Sequence, residues 1–371
     1  MFHQRLNELR LVLRLTPRSP LLVKAGEEAT AAQLAEASGA LQDRQGDFAS
    51  LFTAAGREIE QRKRQEADER KRRKEARIPR DADQRTRDRI LREKVDLDMR
   101  FVVTRRNGAD EPYLPGSGLK GVLRSRAEQW ARTFLPPTER VCDIFDEQNP
   151  DEALRSCTKT VEGKPPAERY AAACRICQVF GCGGLAGRLS ISDAYLCTSA
   201  TYGVRSGVGI DRRRGAAHEN ALFFYQVLDG GTFEATLTLE NFELWQAGLL
   251  AHLLHGLLAG EIPVGFGTRR GLGRLQGQVQ EATLTYFGMD AHQAPGGCEL
   301  RGLAALAGPA LCATYALRPE SAPAVVLPGA TRTTRGLRQE WQLPAAGLDV
   351  LWATAAQAWN DLCSPVQEAP A

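Results

Sequence analysis

No stretch of about 20 apolar residues occurs in the 371-residue chain, which argues against a membrane-spanning helix. No apolar signal core follows Met1-Phe2-His3-Gln4-Arg5, so the expected location is the cytoplasm, with no membrane partner. One-sided charge is missing too. Lys and Arg number 48 against 45 Asp and Glu, a formal net charge of +3, so any nucleic-acid surface must be a local patch. The G-x-x-x-x-G-K-[ST] spacing of a P-loop is absent. Histidine is scarce, with five in the chain, and His252 and His255 fall in an apolar helical stretch. The lone His218 reads as structural or solvent-facing. In a cytoplasmic chain, nine cysteines read as thiols or metal ligands rather than disulfides. With 43% hydrophobic and 25% charged residues the composition is globular, and the length suits one large domain or two ordinary ones.

What is present begins with Pro112-Tyr113-Leu114-Pro115-Gly116-Ser117-Gly118-Leu119-Lys120-Gly121-Val122-Leu123-Arg124. This Pro- and Gly-rich turn delivers Ser117, Gly118 and Lys120 onto the start of a helix expected over 117–134. A helix N-terminus offers unpaired N–H groups and partial positive charge, so it suits a phosphate. Lys120 and Arg124 are four apart and share one helical face.

Strands are expected at 10–15, 101–104, 189–196, 233–239 and 275–286, and a second helix at 242–258, from period-2 alternation and the leucine stripe respectively. An Asn107-Gly108 turn follows the second strand. The order strand, helix, strand, strand, helix, strand predicts an α+β fold. It is the plan of a ferredoxin-like or RNA-recognition-type antiparallel sheet with helices on one face. Residues 30–94 break the pattern. Arg57 to Lys94 holds 16 Lys/Arg and 10 Asp/Glu, read as a long basic helical insertion that is a solvated helix or an RNA- or partner-facing one. The tail beyond 287 is rich in Ala, Pro and Gly, with helical pieces around 348–362.

Cys174 and Cys177 form a C-x₂-C pair, with Cys157 and Cys142 upstream. Four thiolates could close a tetrahedral structural zinc site, with Cys182 as a substitute ligand. The alternative is a set of ordinary buried thiols; a redox pair fits less well, because no βαβ pattern surrounds it. Cys197, Cys298, Cys312 and Cys363 stand alone and read as core thiols. Arg212, Arg213 and Arg214 lie between a Gly-rich approach and Gly215, where they would bind phosphates or form a solvated loop. Phe223 and Phe224 beyond them would stack on bases or pack in the core. The loop from Gly265 to Gly273 adds Arg269, Arg270 and Arg274.

Taken in order, these segments resemble the RAMP superfamily of CRISPR effectors, most closely the repeated backbone subunit of type III complexes. Pro115 to Gly121 matches its Pro-Gly-Ser-x-Leu-Lys-Gly loop, with Arg124 following. Phe180-Gly181 and Ser192-Asp193-Ala194 match its Phe-Gly and Ser-Asp-Ala segments. Ile210-Asp211-Arg212 matches the segment opening its thumb, and Gly267 to Gly273 its terminal glycine-rich loop. The likeness covers residues 9–19 and 96–286.

The resemblance implies a core over 1–29 and 95–287, a cysteine-rich zinc insertion at 136–182 and a thumb at 203–224. Residues 30–94 would be the helical insertion and 288–371 a C-terminal extension packing on the core. It implies a subunit that polymerises with copies of itself along a guide RNA, beside other CRISPR effector subunits. The RNA-binding residues would be Ser117, Gly118, Lys120, Arg124, Arg212, Arg213, Arg214, Arg269, Arg270 and Arg274. It implies an endoribonuclease that cuts bound target RNA at Asp98 or its rival Asp96, with Mg as the divalent ion; the alternative for both carboxylates is that they are solvated strand-entry residues. Met99-Arg100 stand where the family has a Pro. Three other readings compete: a type IV-like guide-binding scaffold without cleavage, with RNA or DNA as target; a guide-processing endoribonuclease, disfavoured by the scarcity of His; and a zinc-stabilised RNA-recognition protein outside CRISPR.

Overall fold

The computed structural model describes residues 4–24, 97–136, 138–152, 154–288, 293–294, 297–319 and 325–364. The helix expected within 30–94 and the carboxylate Asp96 lie outside the described residues. The chain divides into two compact units. One comprises Met1–Lys24, Phe101–Gly203 and Gln226–Ala371; the other comprises Ala25–Arg100 and Val204–Tyr225.

The first unit is a mixed α+β structure. Its first half holds β1 (Asn7–Pro17), β2 (Val103–Arg106), β3 (Ala109–Leu114), α1 (Gly116–Phe134), α2 (Cys157–Val161), α3 (Pro166–Ala172), α4 (Arg175–Phe180), β4 (Gly181–Cys182), β5 (Leu185–Ala186), β6 (Leu189–Ile191) and β7 (Ala194–Leu196). The hairpin strands β8 (Thr201–Asp211) and β9 (Ala216–Gly230) come next in the chain, and their Val204–Tyr225 portion belongs to the second unit. The remainder holds β10 (Phe233–Glu240), α5 (Leu244–Leu258), β11 (Leu275–Phe287), β12 (Gln293–Ala294), β13 (Gly297–Leu300), α6 (Leu303–Leu306), α7 (Pro309–Tyr315), β14 (Val325–Leu327), β15 (Thr331–Arg335), β16 (Arg338–Gln342) and α8 (Ala345–Cys363).

Nine strands form the main sheet in the order β15-β16-β11-β1-β10-β7-β3-β2, with β6 also pairing β10. The paired strands are antiparallel. Alternation sets the register. Leu9, Leu11, Leu13 and Leu15 are buried, and Leu11 lies between Leu237 of β10 and Ala282 of β11. Glu8, Arg10 and Arg14 occupy the other face, where Arg10 and Arg14 are exposed. Burying a leucine stabilises by about 1.5–3 kcal/mol, so a one-residue slip that turned Arg10 and Arg14 inward would be excluded. α1 follows the same logic at helical spacing, burying Leu119, Leu123, Ala127 and Ala131.

Three departures from the sequence expectation have local causes. The strand expected at 189–196 is interrupted at Ser192-Asp193, whose side chains hold Thr236 N–H (2.9 Å) and Gly116 N–H (2.8 Å). The second helix starts at Leu244 because Glu243 and Gln246 close a capping box there. The C-terminal tail contributes strands as well as a helix: β16 pairs β11 over Thr283–Phe287. α8 meets α5 where a Cβ on Gly248 would lie 2.0 Å from Ala355 O, and Trp245 stacks on Trp359 with centroids 6.3 Å apart. No helix among the described residues is long and apolar enough to cross a membrane.

Candidate metal centre and anion-binding loops

Cys142, Cys157, Cys174 and Cys177 come together, all buried, with their four sulfurs within 4.8 Å of one another. Cys142 Sγ lies 3.6 Å from Cys177 Sγ and 3.7 Å from Cys174 Sγ. Zinc–sulfur bonds of about 2.3 Å in a tetrahedron set sulfurs roughly 3.8 Å apart, so the four thiols fit a metal of that size and geometry. The backbone supports the arrangement: Cys174 N–H donates to Cys157 Sγ (3.2 Å) and Cys177 N–H to Cys174 Sγ (3.4 Å). The Cys174 thiol is held well below its ordinary value by hydrogen bonds from Cys142, Cys157 and Cys177. Cys182 is half-buried beside this group and hydrogen-bonds Cys177, but it is not one of the four. Of the isolated cysteines, Cys298 is a core thiol, pushed up to about 12 by burial, whereas Cys197 is exposed. Cys197 follows β7 at the surface, so the expectation of a core thiol fails there.

α1 begins where β3 ends, and its first turn carries no acidic residue. Gly116 N–H is taken by Asp193 Oδ1, and Leu119 N–H by Pro115 O. The N–H groups of Ser117 and Gly118 fall in the first turn, which has no intrahelical acceptors for them. Both residues are exposed. Lys120 is half-buried, and its ammonium lies below the ordinary lysine value because of burial and then the nearby Arg124 charge. A phosphate there would relieve that penalty, since an opposite charge favours the charged form. A Cβ on Gly116 would lie 2.2 Å from Ile191 O, so only glycine lets the helix start this close to the β6–β7 connection. Asp193 acts on α1 as an N-terminal cap supplied from another element. Asp193→Ala is expected to cost about 1 kcal/mol, read as a lower urea midpoint at constant m.

Arg124 points elsewhere. Its guanidinium donates to Cys177 Sγ (3.2 Å), Gly181 O (2.8 Å) and Glu128 Oε1 (2.9 Å). Sequence spacing placed Arg124 beside Lys120 but gave no sign of the cysteines opposite it.

The glycine loop is stapled to the segment after β1. Gly273 N–H donates to Pro20 O, Phe266 N–H to Leu22 O and Arg274 N–H to Ser19 Oγ. Gly273 has φ of +83°, and a Cβ there would meet Val264 O at 2.0 Å, which requires glycine. Arg269 and Arg270 are exposed in the single 3₁₀ turn Thr268–Arg270, with Arg270 over the Phe266 ring. Arg274 donates to Gly260 O (2.8 Å) beyond the end of α5.

In the second unit, Asp211 orders the hairpin tip. Its Oδ1 accepts from Arg213 N–H (2.8 Å), its carbonyl from Gly215 N–H, and Arg212, Arg213 and Arg214 are all exposed. Phe223 stacks on Tyr225, with centroids 5.8 Å apart. Asp98 pairs with β9 like a strand residue: its N–H donates to Phe224 O (2.8 Å), and its Oδ2 accepts from Phe224 N–H (2.7 Å). Val204, Val208 and Ile210 are exposed along β8. His218 is exposed.

Comparison with curated proteins finds no significant match. Residues 98–276 match the family model described as RAMPs, RAMP superfamily. That span runs from Asp98 through the α1 loop, the cysteine cluster and the hairpin to the glycine loop, and it supports membership of the RAMP superfamily.

Proposed function

We propose that this protein is a guide-RNA-binding backbone subunit of a CRISPR ribonucleoprotein effector complex. The observation that carries the reading is the start of α1: Lys120 beside two exposed N-terminal residues, with no acid in the turn, inside the matched RAMP span. The central order β11-β1-β10-β7 supports this reading, since strands four, one, three and two lie side by side as in a ferredoxin-like plan. On this reading copies of the chain polymerise along the guide, and Lys120, Ser117, Gly118, Arg269 and Arg270 grip its backbone. Arg212, Arg213 and Arg214 would meet nucleic acid from the thumb hairpin. The four cysteines would hold a structural zinc ion. With four thiolates and no open position, that ion supplies folding energy rather than catalysis.

Target-RNA cleavage at Asp98 would need a carboxylate oxygen turned to a divalent ion such as Mg. The Phe224 N–H bond to Asp98 Oδ2 favours a second reading, a guide-binding scaffold in which Asp98 pins β9. Asp98→Ala separates the two. Under the first, cutting of a complementary RNA by the assembled complex is abolished while guide binding survives. Under the second, the wild-type complex does not cut. The class itself is tested by sequencing RNA that copurifies with the native protein. Short RNAs sharing one repeat-derived 5′ sequence are expected, and heterogeneous cellular RNA would overturn the assignment.

A further inference from the structure

We infer that Arg124 is the outer-sphere partner of the cysteine metal centre, a positioning residue that acts through Cys177. This rests on the zinc reading of the four cysteines. A divalent ion held by four thiolates keeps surplus negative charge, and in a buried site that charge needs a compensating cation. The four cysteines are buried. Arg124 supplies the cation: Nη2 donates to Cys177 Sγ at 3.2 Å, and Nη1 donates to Gly181 O at 2.8 Å, just beyond α4. The Nε atom is fixed by Glu128 at 2.9 Å, so each of the three guanidinium nitrogens has a partner. Such a planar fork holds sulfur and carbonyl at once in a fixed geometry, which the point charge of an ammonium on a flexible stem does not reproduce. Eight residues further along α1, Arg132 donates to Cys142 O at 3.0 Å. One face of α1 therefore carries Lys120, Arg124, Glu128 and Arg132, and two of these grip the cysteine segments. The helix that presents Lys120 near its start is thereby held to the metal centre.

A plain structural role is the competitor, since Arg124 also braces the turn at Gly181. The two differ in what happens at sulfur. A hydrogen bond from a cation stabilises the thiolate lone pairs, lowers the sulfur's basicity and offsets the site's negative charge, and removal of such outer-shell partners costs about 10–100-fold in metal affinity.

The test uses the full chain as wild type, Arg124→Gln and Arg124→Lys, each loaded with Zn²⁺ and, separately, with Co²⁺. Affinity is read by competition with a chromogenic chelator, and the Co²⁺ form by its sulfur-to-metal charge-transfer absorption. The expected result is a fall of about 10–100-fold in affinity for Arg124→Gln. Its charge-transfer band should move to lower energy, because the thiolate electrons are held less tightly. Arg124→Lys should fall between, and it carries the same test if Arg124→Gln does not fold. Thermal unfolding adds an independent reading: loss of Arg124 should destabilise the loaded protein more than the metal-free one. Equal destabilisation of both, with affinity and spectrum unchanged, overturns the inference and leaves the zinc reading standing. A wild-type chain that takes up neither ion overturns the zinc reading, and the inference with it.

Discussion

Stripping the metal with a strong chelator should lower the melting temperature by roughly 10 °C. A ligand bound only by the folded state stabilises by about 4 kcal/mol at 1,000 times its dissociation constant, and each kcal/mol moves a domain of this size by roughly 2–4 °C. The loss should be local in origin. Cys142, Cys157 and the Cys174/Cys177 pair come from separate segments that meet at their sulfurs, so removing an ion bound there would leave four buried thiols in place of a bond network. Cys174→Ser should reproduce the effect of chelation, because Cys174 both accepts from Cys177 N–H and contacts Cys142 Sγ. Cys182→Ser should leave the metal content unchanged, since its sulfur is outside the group of four. Elemental analysis of the purified protein checks this directly: about one zinc per chain is expected from one four-thiolate set, and none would defeat it.

Lys120→Ala should weaken binding of single-stranded RNA about fivefold at 0.1 M salt, whatever the RNA sequence. One neutralised phosphate contributes a slope of about 0.7 in log affinity against log salt. Loss of a single contact therefore lowers the measured slope by that amount, and the variant and wild type converge as salt rises. Base-reading residues behave differently, changing sequence preference while leaving the slope intact. The pH dependence has a defined sign. The Lys120 ammonium lies below its ordinary value in the free protein because burial and Arg124 disfavour the charge. Its contribution is present at low pH and is lost as pH rises through that lowered value, earlier than for an exposed lysine. A bound phosphate raises the value again, so wild-type binding should take up a proton over that window, whereas Lys120→Ala should not. An unchanged slope across the salt titration would remove Lys120 from the interface.

Much of the architecture was legible because burial imposes a period. Leu9 to Leu15, Phe233 to Leu239 and the leucines of α5 alternate at strand or helix spacing, and each became the element its period implies. β15 and β16 were not legible. Their Thr- and Arg-rich runs lie at the sheet margin, where exposed residues leave only a short alternation around Gln339 and Trp341. The break at Ser192-Asp193 was equally hidden, since nothing in the alternation reveals that an aspartate will leave its strand to cap a helix 77 residues away.

The chain's own order of residues determined the C-x₂-C pair with its two upstream partners, the glycine-opened start of α1 and the exposed arginine tip. The last two depend on neighbours a few residues apart, and the cysteines on residue type and spacing over 36 positions. Only the tertiary structure decided which charges face solvent and which are committed inside: Arg124 to Cys177 and Gly181, Arg274 to Gly260, Asp98 to Phe224. Spacing along a backbone fixes the side of an element on which a group stands. What lies opposite that side is set by long-range packing, and a guanidinium's role follows from whether it meets a sulfur, a carbonyl or water.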